Sequence, residues 1–430
     1  MLMKSVYSCQ GSADHPLGSL IAGPIINHYG SKTTLVYNNV LVLIGSALSG
    51  FAKMVGRFEL MIVGRFIAGI NGGMNSTIVP VYLTEISPIS TRGYIGSGHQ
   101  IGIGIGIAIA VVLGLKQIFG TEELFPLMFA FSALLAVFQL CSLPFCPESP
   151  RFLMLTRKDQ EAAGKSLRWF RRTHDVSDDI NEMKIELQHL ERQKKFSVGD
   201  LIRNEDLRRP LVICIMLNIA QQCSGIVAAA SYSTSVFHQV IKSLETSSYL
   251  ALGLSVGGAV LCIVCTGLIE KSGRRKLFLF GIGGMAISLS FLTVCLVFQE
   301  KIKWLSYGSI IGVFAHTLFF NTGPASIPWF MVAEMFTQES KSSAMTIAIF
   351  FNSLSAFIVS LLFPVIQEFI KQYSFVPFAS SLVLFFFYFY KKLPETKGRT
   401  IEEIADKFRS KKLFNDNSTI NRSVSNKDSL

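Results

Sequence analysis

Charge is scarce in this 430-residue chain: Asp, Glu, Lys and Arg make up 16% of it, against roughly 25% in a soluble globular domain. Half of the residues are hydrophobic and the mean hydropathy is +0.43. That leaves too little polar surface for water, and a soluble enzyme is excluded. Cysteine is also sparse, with eight in all. Cys141, Cys146, Cys214, Cys223, Cys262, Cys265 and Cys295 lie in or at the ends of apolar runs, so no disulfide framework is implied. Cys262-x-x-Cys265 has a redox or zinc spacing, but inside an apolar run with no second pair nearby it reads as two small helix residues. No nucleophile–base set or metal cluster stands out, so neither catalysis nor a cofactor is expected. Met1 to Gln10 are polar and lack the apolar stretch of a cleavable signal peptide.

What the chain does contain is long apolar runs that reach the ~20 residues needed to cross a ~30 Å hydrocarbon core. Eleven spans are predicted, at 12–29, 33–51, 59–82, 95–115, 125–146, 210–237, 249–270, 277–298, 304–328, 344–367 and 373–391. They are helical, because lipid offers no partner for an unpaired backbone group. The net charge of +11 follows this layout. About 31 of the 40 Lys and Arg residues fall in one alternating set of loops and the tail, which the positive-inside rule places in the cytoplasm. The basic excess therefore reports topology, with the bilayer as partner and no nucleic acid. Domains are expected at 1–146 (five spans), 147–209 (a charged helical insertion), 210–392 (six spans) and 393–430 (a cytoplasmic tail, disordered after about 409).

The chain repeats itself. Gly30 matches Gly273, Glu85 matches Glu334, and Glu148 matches Glu395, with offsets of 243, 249 and 247 residues. Two parallel copies of one unit are a transporter layout. The second copy has 63 residues, Pro210 to Ser272, ahead of its glycine landmark, and the first has only 29. One helix is expected to be missing from the first copy, which would put the N-terminus outside.

Motifs sharpen this reading. Gly64-Arg65-Phe66, Pro80-Val81-Tyr82-Leu83-Thr84-Glu85 with Arg92-Gly93, His99-Gln100, Pro147-Glu148-Ser149-Pro150-Arg151, Gln221-Gln222-x-Ser224-Gly225, Gly273-Arg274-Arg275, Pro328-Trp329 and Pro394-Glu395-Thr396-Lys397-Gly398-Arg399 occur in order. Together they resemble the facilitative glucose transporter (GLUT-type) branch of the sugar porters. The resemblance implies an all-α membrane protein with the major facilitator fold of two six-helix bundles, here short of the first helix. It also implies facilitative hexose transport by alternating access at the plasma membrane.

A hexose presents hydroxyls around a weakly apolar ring. Neutral amides match it without the desolvation penalty of a charge, and an aromatic can cover its face. In similar transporters the positions of Gln100, Gln221, Gln222, Asn321, Asn352 and Trp329 line the sugar site. Gly323, Pro324 and Pro328 break helix regularity at a segment that gates in similar transporters. The resemblance also makes Glu85, Arg92, Glu148, Arg151, Arg274, Arg275, Glu334 and Glu395 a cytoplasmic ion-pair network. Gly102-x-Gly-x-Gly106 imitates a nucleotide loop but lies in an apolar helix, where close helix packing is the reading.

The chain also departs from the pattern. Val227, Ser231, Gly258 and Ser353 stand where similar transporters carry Asn, Tyr, Asn and Trp, Asn321 replaces an acid, and Ser31-Lys32 replaces an arginine pair. Two lost amides remove hydrogen bonds worth about 0.5–1.5 kcal/mol each, set against about 4 kcal/mol for millimolar binding. Two alternatives therefore stand beside the facilitative carrier: a proton-coupled sugar symporter, and a non-transporting sugar sensor on the same scaffold.

Overall fold

The computed structural model describes residues 15–88, 92–121, 123–192, 198–241, 243–299, 301–302, 304–336, 338–397 and 403. The tail beyond Arg409 lies outside them. Among the described residues there are helices and no strands. The first half contains α1 (His15–Tyr29), α2 (Ser31–Val55), α3 (Phe58–Ile86), α4 (Arg92–Leu113) and α5 (Phe125–Ser142). Three short helices follow: α6 (Gln160–Arg171), α7 (Ser177–Arg192) and α8 (Val198–Arg203). The second half contains α9 (Glu205–Cys223), α10 (Ile226–Ile241), α11 (Leu244–Ser272), α12 (Arg274–Phe298), α13 (Leu305–Thr322), α14 (Ile327–Met335), α15 (Gln338–Ile370) and α16 (Val376–Lys392).

Among the described residues, seven helical segments are long and apolar enough to cross a membrane by length and composition: Ser31–Val55, Phe125–Phe145, Leu207–Ala230, Glu245–Cys265, Arg274–Phe298, Leu305–Trp329 and Ser343–Tyr373. The remaining predicted spans correspond to α1, α3, α4 and α16. Helices α1 and α16 are short, at 15 and 17 residues. α3 is long but carries Arg65, Asn71, Asn75 and Ser76. A helix packed against other helices can carry such groups, because its neighbours satisfy them.

Helix pairing follows the repeat. α2 packs on α3 and α5 in the first half, as α12 packs on α13 and α16 in the second. Each half has its own buried cluster, around Ala22, Met74 and Ile78 in one and Phe278, Met285 and Leu289 in the other. A third cluster of Met154, Ala163, Leu167, Val176 and Met183 lies under α6 and α7. The halves meet where α1 packs on α15 and α4 packs on α11. At that second seam a side chain on Gly104 would sit 3.4 Å from the Ala259 backbone, whereas Gly102 and Gly106 face open space. The close-packing reading of the glycine run thus applies to Gly104 alone.

Candidate functional site

The predicted span at 210–237 is two helices. α9 ends at Cys223, and the chain turns at Gly225 with φ +78 before α10 begins. Only glycine enters this region without strain. A Cβ there would also press on the Phe378 ring at 2.9 Å. The break leaves Gln221 and Gln222 in the last turn of α9. The predicted gate is a second break: α13 stops at Thr322, α14 starts at Ile327, and Pro328 sits in its first turn. Gly323 passes close to α12, where a Cβ would lie 2.8 Å from the Leu277 carbonyl oxygen.

The two breaks face each other through amides. Gln221 Nε2 donates to the carbonyl oxygens of Pro324 and Ala325 at 2.9 and 2.8 Å, which the broken helix leaves free. Its Oε1 accepts from Asn352 Nδ2 at 2.7 Å. Asn352 Oδ1 accepts from Gln222 Nε2 at 3.0 Å, and Asn352 Nδ2 also reaches the Asn218 carbonyl oxygen at 3.3 Å. Both donors of Gln221 are thus committed to the fold. Gln222 Oε1 is buried with no hydrogen-bond partner, and so is Trp329 Nε1. Such orphan atoms are costly unless something fills the space beside them.

Trp329 sits against the first half. Its ring meets His99 of α4 edge-on, with centroids 5.5 Å apart and planes at 73°, and His99 Nε2 is likewise buried and unpaired. Gln100 follows on the same helix, half-buried, and among the described residues no hydrogen bond joins it to Gln221, Gln222 or Asn352. Asn321 bonds back to its own helix, Nδ2 to the Thr317 carbonyl oxygen at 2.8 Å. It lies beside Gly258, where a Cβ would be 3.5 Å from that same nitrogen. Hydrogen bonds therefore join Gln221, Gln222 and Asn352 in one cluster, a ring contact pairs Trp329 with His99, and among the described residues no hydrogen bond links Gln100 or Asn321 to either group.

Asn218 adjoins the cluster through its backbone carbonyl, which accepts from Asn352 Nδ2, while its side-chain Nδ2 donates to the Cys214 carbonyl oxygen at 2.9 Å. Sequence reasoning missed this contact, because a backbone acceptor leaves no signal in residue type. A further amide group in the first half was also overlooked. Asn38 Nδ2 donates to the Asn71 carbonyl oxygen at 3.3 Å, Asn71 Nδ2 to that of Asn38 at 3.0 Å, and Asn75 Nδ2 to Asn71 Oδ1 at 3.3 Å.

The charged motifs take a form that a count of opposite charges does not suggest. Arg274 and Glu334 are an ion pair at 2.9 Å, and Thr396 Oγ1 donates to the same carboxylate. Glu395 instead accepts from the backbone N–H groups of Arg274 and Arg275 at 2.9 and 3.2 Å. Glu148 does the same for Lys32 and Thr33, at 2.8 and 3.2 Å. Each carboxylate thus caps a helix N-terminus, α12 or α2, where four N–H groups lack intrahelical partners and the dipole favours an anion. Gly30 (φ +94) and Gly273 (φ +90) precede these caps.

The other charged residues are distributed as follows. Arg275 Nη2 donates to the Tyr390 carbonyl oxygen at 2.6 Å. Glu85 accepts from Ser31 Oγ at 3.1 Å, and Arg151 lies 4.0 Å from Glu182. Arg92 opens α4, with its side chain outside the described residues. The α6–α7 unit is tied to the same end of the first half: Arg171 Nη1 donates to the Ile86 carbonyl oxygen at 2.8 Å and Ser166 Oγ to that of Glu148 at 2.6 Å.

Comparison with known proteins agrees with this architecture. The family model described as "Sugar (and other) transporter" matches residues 11–408. The chain is 41% identical over 393 residues to the solute carrier family 2 facilitated glucose transporter member 1 of Gallus gallus, covering 91% of this chain and 80% of that relative. It is 40% identical over 392 residues to the member 3 protein of Canis lupus familiaris, with 91% and 79% covered. Among solved structures it is similar to the proton:xylose symporter XylE bound to 6-bromo-6-deoxy-D-glucose, with a TM-score of 0.78 at 23% identity over 94% of this chain and 89% of that one. The inward-open form of XylE from E. coli gives a TM-score of 0.74 at 23% identity, with 93% and 88% covered. These last two matches speak to the fold, which is that of the major facilitator superfamily.

Proposed function

The chain belongs to the sugar transporter family, and we propose that it carries a hexose across the plasma membrane by facilitated, alternating-access transport, with its C-terminus in the cytoplasm. It is a multi-pass membrane protein and not an enzyme. The observation that carries the reading is the amide cluster of Gln221, Gln222 and Asn352, set between two helix breaks with an unpaired acceptor on Gln222. Neutral amides bind hydroxyls without charge, and transient binding of that kind allows release on the far side.

In this reading Gln222 and Trp329 touch sugar, Gln100 and Asn321 complete the site as the halves close, and Gln221 with Asn352 hold the glutamine pair in place. Gly323, Pro324 and Pro328 form the hinge. The Arg274–Glu334 pair and the two carboxylate caps hold the cytoplasmic end, and the 147–209 insertion braces the first half. The test is uptake of labelled glucose and fructose by the full chain in a transport-null cell, normalised to surface protein. Saturable uptake that Gln222→Leu weakens is the expected result. Surface expression without uptake of any hexose would overturn the reading and favour the sensor.

A further inference from the structure

Among the buried and unpaired side-chain atoms of the described residues are Gln222 Oε1, Trp329 Nε1 and His99 Nε2. The first two belong to residues already placed in the site. His99 does not, and it comes from the other half of the molecule. We infer that His99 is a sugar contact, its Nε2 sharing with Trp329 Nε1 one hydroxyl-bearing edge of the hexose; this rests on the transport reading above.

The chemistry of the two groups is complementary. An indole N–H only donates, whereas one nitrogen of a neutral imidazole accepts. A hydroxyl does both, so it can accept from Trp329 and donate to His99. The ring centroids are 5.5 Å apart, so one hexose edge set against both rings can offer each nitrogen a hydroxyl at a hydrogen-bond distance of about 2.7–3.2 Å. The edge-on contact leaves neither nitrogen bonded to the other ring. His99 is on α4 and Trp329 on α14, so a hydroxyl held by both would tie the halves together only when sugar is present.

The alternative is that His99 merely packs against the tryptophan. Two variants separate these roles. His99→Phe keeps a ring for packing and removes the acceptor; His99→Gln restores a side chain that accepts a hydrogen bond. Trp329→Phe removes the opposing donor. The measurement is KM and maximal rate for glucose and a series of monodeoxy-glucoses in proteoliposomes bearing the full chain, with thermal stability recorded for each variant.

One hydrogen bond corresponds to about a two- to tenfold change in affinity. His99→Phe is expected to raise KM for glucose by that factor with unchanged stability, and His99→Gln to recover part of it. One monodeoxy-glucose, weakly bound by the unmodified protein, should be bound equally by His99→Phe and Trp329→Phe. Unchanged KM across the series in His99→Phe would overturn the inference while leaving transport intact. Failure of the unmodified chain to take up any hexose would instead remove the transport reading beneath it.

Discussion

The carboxylate of Glu395 fills the space that a side chain on Gly273 would need: a Cβ there would stand 2.9 Å from Glu395 Oε2. The same relationship links Gly30 and Glu148 at 2.6 Å. The glycine does two things at once, turning the chain through positive φ and admitting the cap.

Replacement of either glycine by alanine is therefore expected to destabilise the protein. Both have ψ near 150–162° with φ near 90°, a region almost confined to glycine, where strain is about 1–3 kcal/mol. The displaced cap adds to that loss. Gly273→Ala and Gly30→Ala should lower the melting temperature in detergent and the surface level in cells. A melting temperature equal to that of the unmodified protein would contradict the geometry.

The two adjacent glutamines should behave differently despite identical chemistry. Gln221→Leu leaves the Pro324 and Ala325 carbonyls and one Asn352 N–H without partners, a loss of about 2–4 kcal/mol in stability. Gln222→Leu leaves one acceptor, Asn352 Oδ1, without its donor and removes the unpaired acceptor, so it should raise KM for sugar about two- to tenfold with a smaller fall in melting temperature than Gln221→Leu. Melting curves and uptake kinetics on the same preparations decide the matter; matching behaviour of the two variants would refute the split.

Glu334→Gln is expected to shift the resting state toward inward-open. The change weakens the 2.9 Å pair with Arg274, whose groups are half-buried and so are less screened than a surface pair. Thiol labelling of a cysteine placed at the cytoplasmic end should rise several-fold. Labelling unchanged from the unmodified protein would mean that the pair does not bias the two states.

Facilitated transport predicts indifference to a proton gradient. Hexose in vesicles should reach the same level inside and out whether or not the outside is made acid. Accumulation driven by an acid exterior, and abolished by a protonophore, would establish the proton-coupled alternative.

Much of this molecule can be read in its sequence, for identifiable reasons. Amides within apolar runs are conspicuous, so Gln221, Gln222 and Asn352 declare themselves before any fold is known. The Gly323-Pro324 step announces its break because the backbone chemistry is local, whereas the turn at Gly225 divides what reads as one span at 210–237. The destination of a side chain is not local. Nothing in the sequence says that Gln221 turns to carbonyls 103 and 104 residues away. Nor does it say that Glu395 seeks backbone N–H groups across 121 and 120 residues. The repeat reveals that Glu148 and Glu395 are equivalent, but a matching charge pattern suggests arginine partners where the folded chain supplies helix ends. His99 was legible as a motif and not as a contact, since its neighbour Trp329 lies in the other half.

The two caps have a mechanical consequence. Glu148 follows the last helix of its half and fastens to the start of α2; Glu395 does the same for α12. The stretch from α2 to α5 in one half, and from α12 to α16 in the other, is thus linear as a polymer but closed at its ends in how it carries force, so that pulling on α5 drags α2 with it. Helices α1 and α11 lie outside these closed stretches, and each meets the other half, α1 on α15 and α11 on α4. At both seams a helix inside a closed stretch therefore packs against one outside it.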